Sequence, residues 1–149
     1  MKVDNFDELK ELLLNSWSKE TCSLGLRDSW TVDNPSLGQC AITALVINDM
    51  FGGKIMRCMA SSGSHYYNMI DDNLIDLTVE QFHGEIPLYD EGEERTREYL
   101  LGNEDTKNRY LLLLKNIRNN MYINGIKETE EYIKAIRKSR EKYEKNWRI

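Results

Sequence analysis

Along the chain, stretches whose apolar residues recur at helical spacing give way to stretches where they alternate or fade. In "DNFDELKELLLNSW", Phe6, Leu9, Leu13 and Trp17 fall on one face of a 3.6-residue period, with Asp4 as N-cap and Asp7 in the first turn. This predicts an amphipathic first helix. From Ser18 to Asn34 the periodicity is lost among turn formers, which predicts irregular chain. The next stretch, "NPSLGQCAITALVINDMFGG" from Asn34 to Gly53, is apolar in nearly every direction, and a helix of that kind must be covered on most sides. It predicts a central helix from about Ser36 to Met50, with Ser36 and Gln39 as a capping box and Gly52 and Gly53 as its stop.

Three short strands are predicted next, "KIMRCMA", "SHYYNMI" and "NLIDLT", and Asp71, Asp72 and Asn73 supply an antiparallel turn between the last two. Thr78 with Gln81 fits a capping box and Leu77 with Phe82 a hydrophobic staple, so a helical turn is expected there. "LYDEGEERTREYLLGNED" reads as an acidic surface stretch with a short helix around Arg95 to Leu101. "DTKNRYLLLLKNIRNNM" reads as a further helix ending near Asn119 and Asn120. In a last helix Thr129 caps, Glu130 and Glu131 fill the first turn, and Tyr132, Ile136, Tyr143 and Trp147 form a stripe. The pattern is α+β: a central apolar helix on a small antiparallel sheet, with additional C-terminal helices. One domain is expected over residues 1–123, and residues 124–149 form a helical extension packed on the domain or on a partner.

Composition narrows the class. A chain of 149 residues suits one domain, and 40% hydrophobic with 30% charged residues is the balance of a soluble globular protein. No apolar run approaches the roughly 20 residues needed to span a bilayer, and "MKVDNFDELK" is acidic where a secretory signal would be basic and then apolar. A cytoplasmic protein with no membrane partner is expected. A net charge of −5 disfavours nucleic acid as the main partner, because a duplex binder needs a basic face. The exception is Lys134 to Arg148, with seven basic and two acidic residues. It reads either as a solvated helix face or as a docking helix for an acidic partner or a second copy of the chain.

Cys22, Cys40 and Cys58 are an odd number without a C-x-x-C pair, so free thiols are expected. Cys58 falls in a strand pattern and is assigned to the core, Cys22 to a loop. Cys40 stands near the start of the central helix, where the helix dipole favours a thiolate. His65 and Asp76 follow on strands, so the chain supplies a thiol, a base and a group to orient the base, in that order. Each residue also has a plain structural reading: a buried small cysteine, a hydrogen-bonded histidine, a polar strand end.

Strand register separates the possibilities. A four-residue hairpin loop sets His65 opposite Asp76, within roughly 5 Å at Cβ. A two-residue loop at Asp72 and Asn73 sets His65 opposite Glu80, and a three-residue loop sets Asp76 beside Asn68. Asn68 and Glu80 are therefore reserve candidates for orienting the imidazole. With His65 and His83 the only histidines, no spacing resembles a zinc site, and "FGGK" lacks the rest of a phosphate loop.

The blocks "WSKET", "PSLGQCAITALVINDMFGGKI", "HYYN" and "IDLTVEQF", in that order, resemble the YunG-like family of small bacterial proteins. The resemblance covers Trp17 to Phe82 and fades through Leu114. Tyr67 stands where family members often have Trp, and their usual Asp-Gly hairpin turn is replaced and shortened around Asp72 and Asn73. The Cys, His, Asp order is similar to that of papain-like and transglutaminase-like thiol enzymes. That likeness implies a cysteine-bearing helix packed on an antiparallel sheet carrying the other two, with Cys40, His65 and Asp76 as nucleophile, base and orienting group.

The reading that follows is a cofactor-independent hydrolase, deamidase or acyl transferase acting on an amide or acyl bond, in a small, peptide or protein substrate. Its oxyanion donors are expected to be the Cys40 backbone N–H with the Gln39 amide or the Trp30 indole. The alternative is an inactive binding module on the same fold, using the Tyr66 and Tyr67 cleft or the basic C-terminal helix.

Overall fold

A computed structural model describes residues 5–123 and 137–138; the helix expected from Thr129 lies outside these apart from Arg137 and Lys138. Helix α1 spans Phe6–Ser16 and buries Leu9, Leu12 and Leu13. Its N-cap is Asn5, whose Oδ1 accepts from the Glu8 N–H at 2.9 Å. An irregular stretch with one 3-10 turn, Leu24–Ser29, leads to helix α2, Cys40–Phe51.

Ile42 through Ile47 are all buried, so α2 is covered on every side, as its all-round apolar pattern demands. The cover comes from α1, from the sheet and from helix α4, Glu104–Ile123, which adds Leu113, Leu114, Ile117 and Met121 to one continuous core. Helix α4 runs past the stop expected at Asn119 and Asn120. The side-chain amides of Asn116 and Asn120 donate to the Ser16 and Asn15 carbonyls, so Asn120 ties α4 to α1 instead of ending it. Helix α2 stops at Gly52 with φ 74°, and the next residue must be small as well, because a Cβ on Gly53 would collide with the Met69 carbonyl.

Strands β1 (Lys54–Ala60), β2 (Gly63–Ile70), β3 (Asn73–Ile75) and β4 (Glu93–Arg95) form one antiparallel sheet in the order β3-β2-β1-β4. The fold is thus α+β. Strand β4 arises inside the acidic stretch that reads as surface chain. Three paired residues with no apolar side chain leave no alternating signal. The short helix α3, Arg97–Leu101, begins two residues later than expected because Thr96 caps it, accepting from the Tyr99 N–H.

The register pairs Ile70 with Asn73, so the second hairpin turns on Asp71 and Asp72 alone, at φ 50° and 64°. Aspartate tolerates the left-handed region better than most residues, and two such positions make the tight turn that suits hairpin twist. The loop therefore has two residues, but one position earlier than Asp72 and Asn73. Extended past Ile75, this register sets Asp76 across from Tyr67 and diagonal to His65, on the same face.

The two faces of the sheet differ. Ile55, Tyr66, Ile70 and Ile75 join the core with α2. Cys58, His65 and Tyr67 alternate onto the other face, where Cys58 stands directly opposite His65. That face is covered by two 3-10 turns, Val79–Phe82 and Tyr89–Glu91.

Candidate functional site

Cys40 is the first residue of α2, three positions nearer the N-terminus than a helix from Ser36 would place it. Neither expected capping box forms. Ser36 Oγ donates to the Thr78 carbonyl at 3.3 Å, and Gln39 occupies the N-cap position without a side-chain cap bond. Thr78 likewise heads its turn without capping it, because its hydroxyl is turned to Asp76. The loop entering α2 is fixed by tertiary contacts instead. Gly38 has φ 70°, and a Cβ there would collide with the Cys22 sulfur. Its N–H donates to Gln81 Oε1 at 3.4 Å, and its carbonyl accepts from buried Arg109 of α4 at 3.4 Å. Arg109 also donates to the Thr21 carbonyl and is held by Asp105 at 2.7 Å.

His65 is 1% exposed and its Nε2 lies 2.6 Å from Asp76 Oδ2. Asp76 follows the last residue of β3 and is saturated with donors: Tyr89 Oη at 2.6 Å on Oδ2, and the Thr78 N–H and hydroxyl at 3.2 Å on Oδ1. The second imidazole nitrogen, Nδ1, is buried and makes no hydrogen bond of good geometry to a described residue. With Nε2 committed to Asp76, Nδ1 is the nitrogen left for the Cys40 thiol, which interacts with this ring. Phe82 stands edge-on to the imidazole, with ring centroids 4.8 Å apart, and Tyr67 stacks beyond it at 6.4 Å.

Burial by itself would lower the His65 pKa, but the hydrogen bond to Asp76 and the interaction with Cys40 outweigh it and raise it to about 9. The imidazole is thus charged at neutral pH, between a carboxylate and a thiol. Burial acts unopposed on the thiol across the strand pair and, reinforced by Asp76 and Cys40, pushes Cys58 up to about 11. Cys22, fully buried, is also raised by burial, against the opposing pull of Arg109 and Arg27. Burial and the Asp76 carboxylate together raise the Tyr89 pKa, so that hydroxyl stays a donor.

The structure brings Cys40, His65 and Asp76 together and leaves the other candidates elsewhere. Asn68 lies on the opposite face and donates to the Ala44 carbonyl of α2 at 3.0 Å. Glu80 is exposed and pairs with Lys10 at 2.9 Å. Gln39 is fully buried, accepting from Thr21 Oγ1 at 2.8 Å and donating to the Ser18 carbonyl at 3.0 Å. The Trp30 indole N–H is spent on the Pro35 carbonyl at 2.9 Å. Reading the chain missed Tyr89 and assigned Gln81 wholly to capping. Tyr89 is an aromatic in an acidic stretch, and nothing local distinguishes it from a surface residue.

Cys40 opens into a cavity of about 390 Å³, lined also by Ser23, Leu26, Ser64, Tyr66, Gln81 and Arg109. A second cavity of about 430 Å³ shares Ala41, Tyr66 and Thr106 with it and extends toward Tyr99 and Asn103. Half-buried Cys40 therefore faces open space while its histidine is sealed behind it. Among the described residues no group of three or more His, Cys, Asp or Glu side chains is arranged to hold a metal ion. No described helix is long and apolar enough to cross a membrane.

Sequence comparison adds a family. A family model described as YunG protein matches residues 5–122. A Bacillus subtilis (strain 168) protein, described as uncharacterized protein YunG, is 37% identical over 99 residues, which cover 66% of this chain and 82% of that protein. No solved structure matches the chain. The family match takes in α1, α2, the whole sheet and nearly all of α4, so the chain belongs to the YunG family.

Proposed function

We propose that the protein is a cysteine-dependent hydrolase, deamidase or acyl transferase. Cys40 attacks an amide or acyl carbonyl, His65 moves the proton, and Asp76 orients the imidazole. The observation that carries this reading is the sealed His65 ring, with one nitrogen on a four-donor carboxylate and the other left for a thiol that opens into a cavity. The His65 imidazole stands beside the attacking sulfur to move its proton, and Cys40 is the first residue of its helix. His65 then returns its proton to the leaving group, as thiol acyl transfer requires. No cofactor enters this scheme.

The same reading sets the chain beside papain-like and transglutaminase-like thiol enzymes, on the strength of a cysteine-bearing helix packed against a sheet that supplies the base. It favours a reducing compartment such as the cytoplasm, since the thiol must stay reduced to attack. The cavity at Cys40 adjoins a second one through Ala41, Tyr66 and Thr106, which suits an amide within a peptide or protein.

The test is competitive alkylation with iodoacetamide at pH 6 to 7, followed by mass spectrometry of each cysteine. Cys40 is expected to react at least tenfold faster than Cys22 and Cys58, and His65→Ala is expected to remove most of that advantage. Equal slow labelling of all three thiols would leave only the binding-module reading.

A further inference from the structure

We propose that Gln81 supplies the second oxyanion donor, alongside the Cys40 backbone N–H; this assignment rests on the thiol-enzyme reading above. A tetrahedral intermediate needs two fixed donors, and a helix's first residue has an N–H with no acceptor one turn back. Cys40 is that residue. Of the two side chains that sequence position offers as the other donor, neither lines the cavity into which Cys40 opens; Gln39 is fully buried on Thr21 and Ser18, and the single N–H of the Trp30 indole is spent on the Pro35 carbonyl. Gln81 lines the same cavity as Cys40 and is 5% exposed. Its amide is clamped at both ends, with Oε1 accepting from the Gly38 N–H at 3.4 Å and Nε2 donating to the Thr78 carbonyl at 3.0 Å.

That clamp uses one hydrogen of Nε2 and leaves the other without an acceptor among the described residues. The side chain is therefore held at both ends, nearly dry and half-satisfied, in the wall of the cavity into which Cys40 opens. Preorganised donors of this kind cost no reorganisation when charge develops. The turn that carries Gln81 also sets Phe82 against His65 and begins at Thr78, which donates to Asp76. This turn and its N-cap residue thus border all three reacting groups.

In the step concerned, Cys40 Sγ forms a bond to the acyl carbon and the carbonyl π pair moves onto oxygen, where Gln81 Nε2–H and Cys40 N–H donate to it. Collapse restores the carbonyl, breaks the bond to the leaving group and leaves a thioester on Cys40. Alkylation by iodoacetamide uses the same thiolate but displaces iodide at a saturated carbon, so no oxyanion forms.

The two reactions together give the test. Wild type, Gln81→Leu and Gln81→Glu are each acylated with p-nitrophenyl acetate, following p-nitrophenolate release, and separately alkylated with iodoacetamide. The ratio of the acylation rate to the alkylation rate at Cys40 is expected to fall about 10²-fold in both variants. Taking the ratio cancels any change in thiolate nucleophilicity, and Glu keeps an acceptor for the Gly38 N–H, so the loop before Cys40 retains its tie. An unchanged ratio in Gln81→Glu, or two rates that fall in parallel, would overturn the assignment and leave Gln81 a structural clamp. Wild-type Cys40 that acylates no faster than Cys22 or Cys58 would instead overturn the thiol-enzyme reading itself.

Discussion

The two faces of the sheet are built on different principles. Toward α2, Ile55, Tyr66, Ile70 and Ile75 meet a core whose stability comes from apolar area removed from water, a force without direction. On the other face His65, Tyr67 and Asp76 lie under two short turns, and the contacts are directional: Nε2 to Oδ2, Tyr89 Oη to Oδ2, Thr78 to Oδ1. The first face tolerates changes of shape at a graded cost. The second holds a charge state, and it depends on each partner being present.

The largest expected effect breaks the first face and spares the second. Leu113 is fully buried in the core on α4, remote in sequence from the histidine and its partners. Leu113→Ala is expected to lower the unfolding free energy by about 2–5 kcal/mol at any pH between 6 and 9. Urea titration checks the loss, and the Cys40 alkylation rate, read on the folded protein, should stay within about twofold. A thiol that loses reactivity along with the core would show the two faces to be one energetic unit.

The next effect reverses the choice. His65 takes up its proton with a pKa near 9 in the fold, against 6.5 for an unperturbed imidazole. A folded-state pKa raised in this way stabilises the protein fully below pH 6.5 and loses that contribution as pH rises through about 9. Wild type is therefore expected to shed up to about 3 kcal/mol between those limits that His65→Gln does not shed. The check is urea unfolding of both proteins across pH 6 to 9. Parallel pH profiles would mean that His65 is neutral in the fold and that Asp76 and Cys40 do not hold its proton.

These differences also explain what the sequence disclosed. The run Ile42–Ile47 and the Lys54–Ala60 strand are legible because an element covered on both sides needs mostly apolar residues along its whole length. Cys40, His65 and Asp76 are legible as a group because few residue types supply a thiol, a base and a carboxylate to hold the base. Tyr89 and Gln81 are not legible in that way. They stand in short turns and meet Asp76 and Gly38 only once the chain has folded, and one tyrosine or glutamine in a polar stretch carries no periodic signature. Capping patterns misled for a related reason. Ser36 and Thr78 have the right spacing to cap, but a carbonyl across the fold takes the Ser36 hydroxyl and the Asp76 carboxylate, two residues earlier, takes that of Thr78. Hairpin register depended on which turn residues take the left-handed conformation, a choice among Asp71, Asp72 and Asn73 that local sequence barely biases.

Glu80 gives the smallest expected effect and the sharpest line between the two faces. It stands in the same turn as Gln81 and Phe82, and a hairpin loop at Asp72 and Asn73 would set it opposite His65. The observed register sends its carboxylate outward to Lys10, which also donates to the Leu77 carbonyl. An exposed pair of this kind contributes at most about 1 kcal/mol, and the retained Lys10 to Leu77 bond reduces what Glu80 can add. Glu80→Gln is accordingly expected to shift stability by less than about 0.5 kcal/mol and to leave the pH dependence of His65 and the alkylation rate of Cys40 unchanged. Histidine NMR titration beside the labelling assay checks both. A His65 pKa that falls in Glu80→Gln would mean that Glu80 turns inward in solution and shares the orienting role with Asp76. The boundary between the directional network and the solvated surface would then lie one residue further along the turn.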